Sequence, residues 1–213
     1  MNHFTRRNCI AALLSGASTA TLPAKMTSAQ EGLDIPAEFQ ATLKKAGLLI
    51  DLGALDGFRP ARILKNAHQN YGFAVRQADL GMEIRFIAAT YDDPEPSPGA
   101  VTVRWGQLLF QGLLDAMHAN MSVGGMAQSN PASGLQAFPE EDVRQEYGAD
   151  FGVFGLLRTK PTFSRFPLGF MVGIGRKSPS SYGVVVFLFD GEQTSPAQEA
   201  AWQRAFYAMR YAP

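Results

Sequence analysis

The sequence predicts an α+β fold, a single domain in which an antiparallel β-sheet packs against helices as an α/β/α sandwich. Three observations support this prediction. Residues 73–86 contain two runs of alternating apolar and polar side chains, which is typical of a hairpin with one buried face. The stretch YGVVVFLFD, residues 182–190, is apolar on both faces, as expected of a central strand covered on two sides. Helical apolar spacing precedes and follows these strands.

The elements of the first half can be placed from apolar spacing and turn residues. A helix is predicted from Pro36 to Ala46, where Gly47 would end it. The hairpin comes next, with its turn at residues 78–81. The prolines and acids of DDPEPSPG, residues 92–99, indicate a loop. From about Val101 to Met121 the apolar spacing becomes helical again.

The second half predicts three strands and a final helix. DFGVFGLL (residues 150–157), GFMVGIGRK (169–177) and YGVVVFLFD are the strands, with a hairpin turn between the last two. Ser195, Pro196 and Gln198 have the spacing of a capping box with proline at the first helical position. The apolar stripe of this last helix is predicted to consist of Trp202, Ala205, Phe206 and Met209.

The first 29 residues have the order of a secretory signal peptide. Two arginines, Arg6 and Arg7, precede an uncharged and weakly apolar run over residues 10–22. This run is too short and too polar for a transmembrane helix. The alternative, an amphipathic helix, is disfavoured by Pro23 and by the serine and threonine content. The pattern TRRNCI resembles the twin-arginine signals of bacteria, and implies a periplasmic protein.

Cleavage is expected after Ala20 or Ala29, and the lack of apolar periodicity over residues 21–30 favours Ala29. We then expect residues 30–58 to form an N-terminal helix and linker, and residues 59–213 to form the α+β domain. The mature chain would lose its only cysteine, Cys9, and with it any disulfide or thiol chemistry. It would keep 16 basic and 19 acidic residues. A net charge near −3 argues against nucleic acid as a partner, and no later stretch predicts a transmembrane segment, so a soluble protein is expected.

The order of elements over roughly residues 60–210 resembles the PsbP/DcrB group of extracytoplasmic α/β/α sandwich domains. The resemblance lies in a terminal aromatic helix that follows the most apolar strand. Members of that group are mostly accessory or binding domains, so the resemblance implies a protein of this kind. No diagnostic motif accompanies the resemblance, and no functional residue is transferred from it.

Catalytic candidates are few, because the mature chain contains only two histidines. His118 follows Asp115 by three residues on a predicted helix, so the carboxylate could orient the imidazole. The second histidine, His68, precedes the first strand. No G-x-S-x-G nucleophile motif occurs, so a hydrolase using His118 with Asp115 or a nearby carboxylate is the alternative and not the main hypothesis.

The sequence contains no complete metal or cofactor motif. The carboxylates cluster at residues 92–95 and 140–142, without the alternation of a calcium loop, and the second cluster favours the start of a short helix from Pro139. Gly173 and Gly175 lack the third glycine of a dinucleotide fingerprint and lie within a predicted strand. We interpret them as relief of crowding beneath a covering helix or as the mark of a bulge. No metal site and no cofactor is predicted.

Two loops are the candidate contact surfaces. The Gly-rich loop over residues 122–134 contains Gly124, Gly125 and Met126, and its length is typical of functional loops. A second loop brings Phe163 and Phe166 together with Arg165, and aromatic and arginine side chains are common at binding hot spots. The alternative is that the two phenylalanines close the core.

These patterns favour an exported, non-catalytic periplasmic accessory or binding protein. Its partner, a protein or a small-molecule ligand, is not identified by any motif.

Overall fold

The computed structural model describes residues 33–62, 71–91, 106–123 and 135–213. The nine strands in these ranges are β1 (Leu48–Ile50), β2 (Arg59–Pro60), β3 (Phe73–Gln77), β4 (Met82–Thr90), β5 (Gln136–Ala137), β6 (Phe151–Arg158), β7 (Leu168–Lys177), β8 (Ser180–Phe189) and β9 (Met209–Tyr211). The helices are α1 (Ala37–Ala46), α2 (Gln107–Met121), α3 (Glu140–Asp142), which continues as a π-helical turn over Val143–Tyr147, and α4 (Pro196–Ala205). None of these helices is long and apolar enough to cross a membrane.

Seven of the strands form one antiparallel sheet in the order β2-β3-β4-β8-β7-β6-β5. The central strand, β8, pairs with β4 along nine residues, from Met82 opposite Phe189 to Thr90 opposite Ser181. On its other side β8 pairs with β7 through a tight hairpin. The predicted central strand and both predicted hairpins are confirmed.

One face of the sheet is covered by α1, α4 and a second small sheet in which β1 pairs with β9. The centre of this layer is Trp202, which is 2 % exposed and meets Phe170 and Phe187 edge-on. The other face is covered by α2 through Phe110, Leu114, Met117 and Met121. Helices on both faces of an antiparallel sheet confirm the predicted α+β class and the α/β/α layering.

Two of the three glycines of β7, Gly173 and Gly175, lie directly beneath α2. A Cβ atom at Gly175 would come within 2.7 Å of Phe110 Cδ2, and one at Gly173 would overlap the Leu114 side chain. Real Cβ contacts are not that short, so the close approach of helix to sheet requires glycine at both positions. The interpretation that these residues relieve crowding is confirmed.

The capping box of α4 forms as predicted, since the Ser195 hydroxyl accepts from Gln198 N (3.2 Å) and the Gln198 side chain accepts from Ser195 N (2.7 Å). The predicted stripe on this helix is wrong at Met209. The helix ends at Ala205, and Met209 begins β9 opposite Ile50. Pairing with β9 satisfies the backbone N–H and C=O groups of β1, which a longer helix could not reach.

The boundary predicted after residue 58 does not separate a linker from the domain. Phe39 and Leu43 of α1 and the following Leu48 and Leu55 are buried in the same core as Trp202. Because β1 also pairs with the last strand of the chain, residues 33–58 are part of the domain.

A buried tyrosine closes the small sheet and gives a prediction for alkaline pH. The Tyr211 hydroxyl donates to the Ser181 carbonyl oxygen (2.9 Å), and the Arg176 guanidinium lies 4.6 Å from the centre of its ring. Burial raises the pKa of Tyr211 from 10.0 to about 12, despite the opposing effects of Ser181 and Arg176. The protonated form is therefore the one that the folded protein favours.

We expect the free energy of unfolding to fall between pH 10 and pH 12, where the unfolded chain has lost this proton and the folded protein still holds it. A difference of two pKa units corresponds to about 2–3 kcal/mol. Urea titrations at several pH values measure the loss, and Tyr211→Phe should remove most of it. An equal alkaline loss in Tyr211→Phe and wild type would contradict this assignment.

Candidate binding cleft

The loop that joins β6 and β7, residues 159–167, folds across the sheet face beside α2; we call it the β6–β7 loop. It is held in place by its own ends, since Thr159 N donates to the Pro167 carbonyl oxygen (3.0 Å) and the Thr159 hydroxyl donates to the Phe166 carbonyl oxygen. A further bond runs from Phe166 N to the Ser164 hydroxyl (3.0 Å). These hydrogen bonds connect the two ends of the loop where it covers the sheet face.

The core alternative holds for the two phenylalanines of this loop. Phe163 is 4 % exposed and Phe166 is 2 % exposed, because both rings pack among residues of the α2 side. Their role as contact residues stays a prediction. Arg165, which lies between them in the sequence, is exposed.

Three charged side chains lie beneath the loop, on strands β3 and β4. Glu83 is 3 % exposed, and its Oε1 accepts from Arg85 Nε at 2.8 Å. Its other oxygen, Oε2, accepts from Nε of Arg76 at 3.0 Å and also from Nη2. A buried carboxylate between two guanidinium groups is compensated in charge and in hydrogen bonds.

Arg85 is almost fully buried, and two aromatic rings lie against its guanidinium. Its Cζ lies 4.7 Å from the ring centre of Tyr71 and 4.9 Å from that of Phe163. Its Nη1 donates to the Phe163 carbonyl oxygen at 3.3 Å. The β6–β7 loop therefore helps to keep this arginine in a dry environment, where contacts between a cation and aromatic rings are strongest.

A cleft of about 360 Å³ opens at the edge of this charged group. Its lining consists of Arg76, Ala78, Gly81, Arg165, Phe166 and Asp190. Two guanidinium groups lie over the Phe166 ring, with Cζ 5.6 Å from its centre for Arg76 and 5.1 Å for Arg165. Arg76 is partly exposed, at 38 % of its side chain. We call this feature the arginine cleft.

The β3–β4 turn and Asp190 form another side of the arginine cleft. Gly81 has a left-handed φ of 58°, and a Cβ atom there would overlap the Asp190 carboxylate. Asp190 in turn accepts from Gln198 Nε2 at 3.1 Å, so its position is tied to the N-terminus of α4. The turn, the end of β8 and the β6–β7 loop converge on one site.

The catalytic candidate His118 lies elsewhere, at the end of α2. Its Nε2 is 2.7 Å from the Leu156 carbonyl oxygen, which can only accept, so Nε2 carries the proton. The Ser122 hydroxyl is the next polar group, at 3.5 Å. Within the described ranges no hydrogen bond joins His118 to Asp115, so the predicted pair does not form. The imidazole connects the helix to strand β6.

Of the remaining candidates, only the carboxylate cluster at residues 140–142 lies within the described residues. Glu140 starts α3 and pairs with Arg144 at 2.7 Å, as predicted for a helix start. In the part of the chain that is described, no group of three potential metal ligands occurs. The signal residues Arg6 and Arg7, His68, the carboxylates at 92–95, and Gly124, Gly125 and Met126 lie outside the described residues.

Sequence reasoning missed Arg76, Glu83, Arg85 and Asp190. In the hairpin pattern the first three were the polar half of an alternation, which predicts exposure to water. The alternation gives no sign of their burial, because that burial depends on the pairing of β4 with β8, which lies far along the chain. Charges on a strand that is buried in this way need partners.

Comparisons of this chain with known protein families, with curated proteins and with solved structures gave no match. The fold and the site therefore define its class: an α/β/α sandwich with a cleft formed by two arginines and a phenylalanine. Any function has to be inferred from the chemistry of that cleft.

Proposed function

We propose that the protein is an exported, non-catalytic accessory or binding protein of the bacterial periplasm, and that the arginine cleft is its contact site. One observation supports this: the exposed guanidinium of Arg165 lies over the Phe166 ring, and the guanidinium of Arg76 lies over the same ring. Arginine and aromatic side chains that share a pocket provide most of the energy at binding hot spots.

The chemistry of the cleft favours binding over catalysis. Arginine stays protonated in proteins, so neither Arg76 nor Arg165 can serve as a general acid or base. The one carboxylate among the lining residues, Asp190, is already hydrogen-bonded to Gln198. What the cleft offers a partner is positive charge and N–H donors.

The alternative function is an extracytoplasmic hydrolase that uses His118 with Asp115 or a nearby carboxylate. It has less support, because the imidazole N–H is bound to a main-chain carbonyl and the expected carboxylate contact is not formed. The resemblance in element order to PsbP/DcrB-type domains points the same way, since those domains are mostly accessory or binding proteins.

A charge reversal at the cleft tests the proposal. We expect the immobilised mature domain to retain a molecule, small or macromolecular, from periplasmic extract, and Arg165→Glu to lose it because a carboxylate replaces the exposed cation. Arg204→Glu is the matched control, since Arg204 is an exposed arginine on α4 outside the cleft lining. Mass spectrometry of the eluted proteins and small molecules measures retention.

Equal retention by wild type, Arg165→Glu and Arg204→Glu would show that the cleft is not the contact site. The enzyme alternative is tested by His118→Gln, in which the amide can still donate to the Leu156 carbonyl oxygen. If this variant folds but loses the biological activity of the protein, the hydrolase is the correct reading.

Export has its own test. Replacing Arg6 and Arg7 together by lysine should leave unprocessed protein in the cytoplasm, because twin-arginine signals are read through the guanidinium pair. Cell fractionation followed by immunoblotting measures precursor and mature forms. Normal processing of the double variant would rule out the twin-arginine route.

A further inference from the structure

We infer that the arginine cleft binds an oxyanion, a carboxylate or phosphate group of a small molecule, through the in-plane N–H groups of Arg165 and Arg76. The inference deepens the proposed function and rests on it. It names the chemistry of the ligand that the cleft selects.

The charges around the cleft leave a cation in surplus. Three guanidinium groups, those of Arg76, Arg85 and Arg165, are set against two carboxylates, those of Glu83 and Asp190. Both oxygens of Glu83 already accept from arginines, and Asp190 accepts from Gln198. The net charge of these five side chains is therefore +1, which favours an anion over a cation as the ligand.

The donors that would hold the anion are also available. Among the described residues, Arg165 forms neither a hydrogen bond nor an ion pair, and its recorded contact is with the face of Phe166. Arg76 turns Nε and Nη2 toward Glu83, and within the described ranges its Nη1 has no hydrogen-bond partner and can donate to a ligand. These two arginines line the same cleft.

The Phe166 ring places both donors side by side, since the Cζ atoms of Arg76 and Arg165 both lie over it. The N–H groups of a guanidinium form a planar fork that matches the two oxygens of a carboxylate or phosphate. The ring itself is held by the β6–β7 loop and is 2 % exposed. The aromatic support is thus fixed before a ligand arrives, which reduces the entropy lost on binding.

Calorimetric titration of the mature domain with inorganic phosphate and, separately, with citrate tests the inference. Sodium chloride of equal ionic strength is the reference, because both anions also act as general stabilising salts. We expect saturable binding of at least one anion. Arg165→Gln should weaken it at least about tenfold, as expected for loss of a charge-assisted hydrogen bond, and Arg204→Gln should leave it unchanged.

The two titrations distinguish the sources. Binding of citrate alone supports a carboxylate ligand, binding of phosphate alone supports a phosphate group, and binding of both supports the shared oxyanion chemistry. The inference is overturned if neither anion binds saturably, or if Arg165→Gln binds as tightly as wild type. If Arg165→Glu nonetheless loses its retained molecule from extract, the proposed function stands and only the oxyanion chemistry is wrong.

Discussion

Truncating Trp202 to alanine is expected to lower the free energy of unfolding by about 3–5 kcal/mol, the usual loss for a large buried aromatic side chain. The indole is 2 % exposed and lies between α4 and the central strands. Its ring centre is 5.2 Å from that of Phe170 and 5.3 Å from that of Phe206, both in edge-on contact. Alanine would leave a cavity that these rigid rings can only partly fill.

The contribution of Trp202 comes from packing, because among the described residues its Nε1 has no hydrogen-bond partner. Trp202→Phe should therefore cost much less than Trp202→Ala. Urea denaturation followed by circular dichroism measures both. Arg204→Ala, at an exposed position of the same helix, is the control and should change stability by no more than about 0.5 kcal/mol. A loss in Trp202→Ala no larger than in this control would mean that α4 is peripheral.

Local signals predicted most of the elements because the physics that forms them is local. Ser195, Pro196 and Gln198 specify a helix start through three neighbouring side chains. The β3–β4 turn follows from a left-handed glycine, Gly81, between two alternating runs. The glycines of β7 were interpreted correctly because a missing side chain in an apolar strand implies a close neighbour.

Long-range contacts decided what the sequence pattern missed. Met209 continues the helical spacing of α4, yet the chain leaves the helix to pair with β1, about 160 residues earlier in the sequence. Arg76, Glu83 and Arg85 alternate with apolar residues as an exposed strand face would. They are covered by a loop that follows about 80 residues later and brings Phe163 to Arg85. Neither contact leaves a trace in the spacing of nearby residues.

The arginine cleft is a consequence of the same long-range packing. Phe166 reaches Arg76 only because the β6–β7 loop folds over β3 and β4. Arg165 is then left at the rim with its face against the ring. The sequence named two residues that line the cleft, Arg165 and Phe166, and its core alternative for Phe163 and Phe166 is the one that the structure shows.

The buried charges give the second large effect. Glu83→Ala should lower the free energy of unfolding by about 3–5 kcal/mol, as expected when one partner of a buried ion pair is removed. Arg85 would keep its positive charge at 7 % exposure, between Tyr71 and Phe163, with no carboxylate to accept from Nε. Arg76 is affected less, because its partly exposed side chain can turn toward water.

A double variant separates the loss of charge compensation from the loss of packing. Replacing Glu83 and Arg85 together by methionine should restore much of the stability, because removing both partners of a buried ion pair is often close to neutral. Urea denaturation of wild type, Glu83→Ala and the double variant measures the difference. If the double variant is no more stable than Glu83→Ala, the ion pair is not the source of the loss. Recovery of stability in the double variant would show that Arg85 without its carboxylate partner is what destabilises the fold. Glu83 would then be needed because two arginines, Arg76 and Arg85, meet beside the cleft.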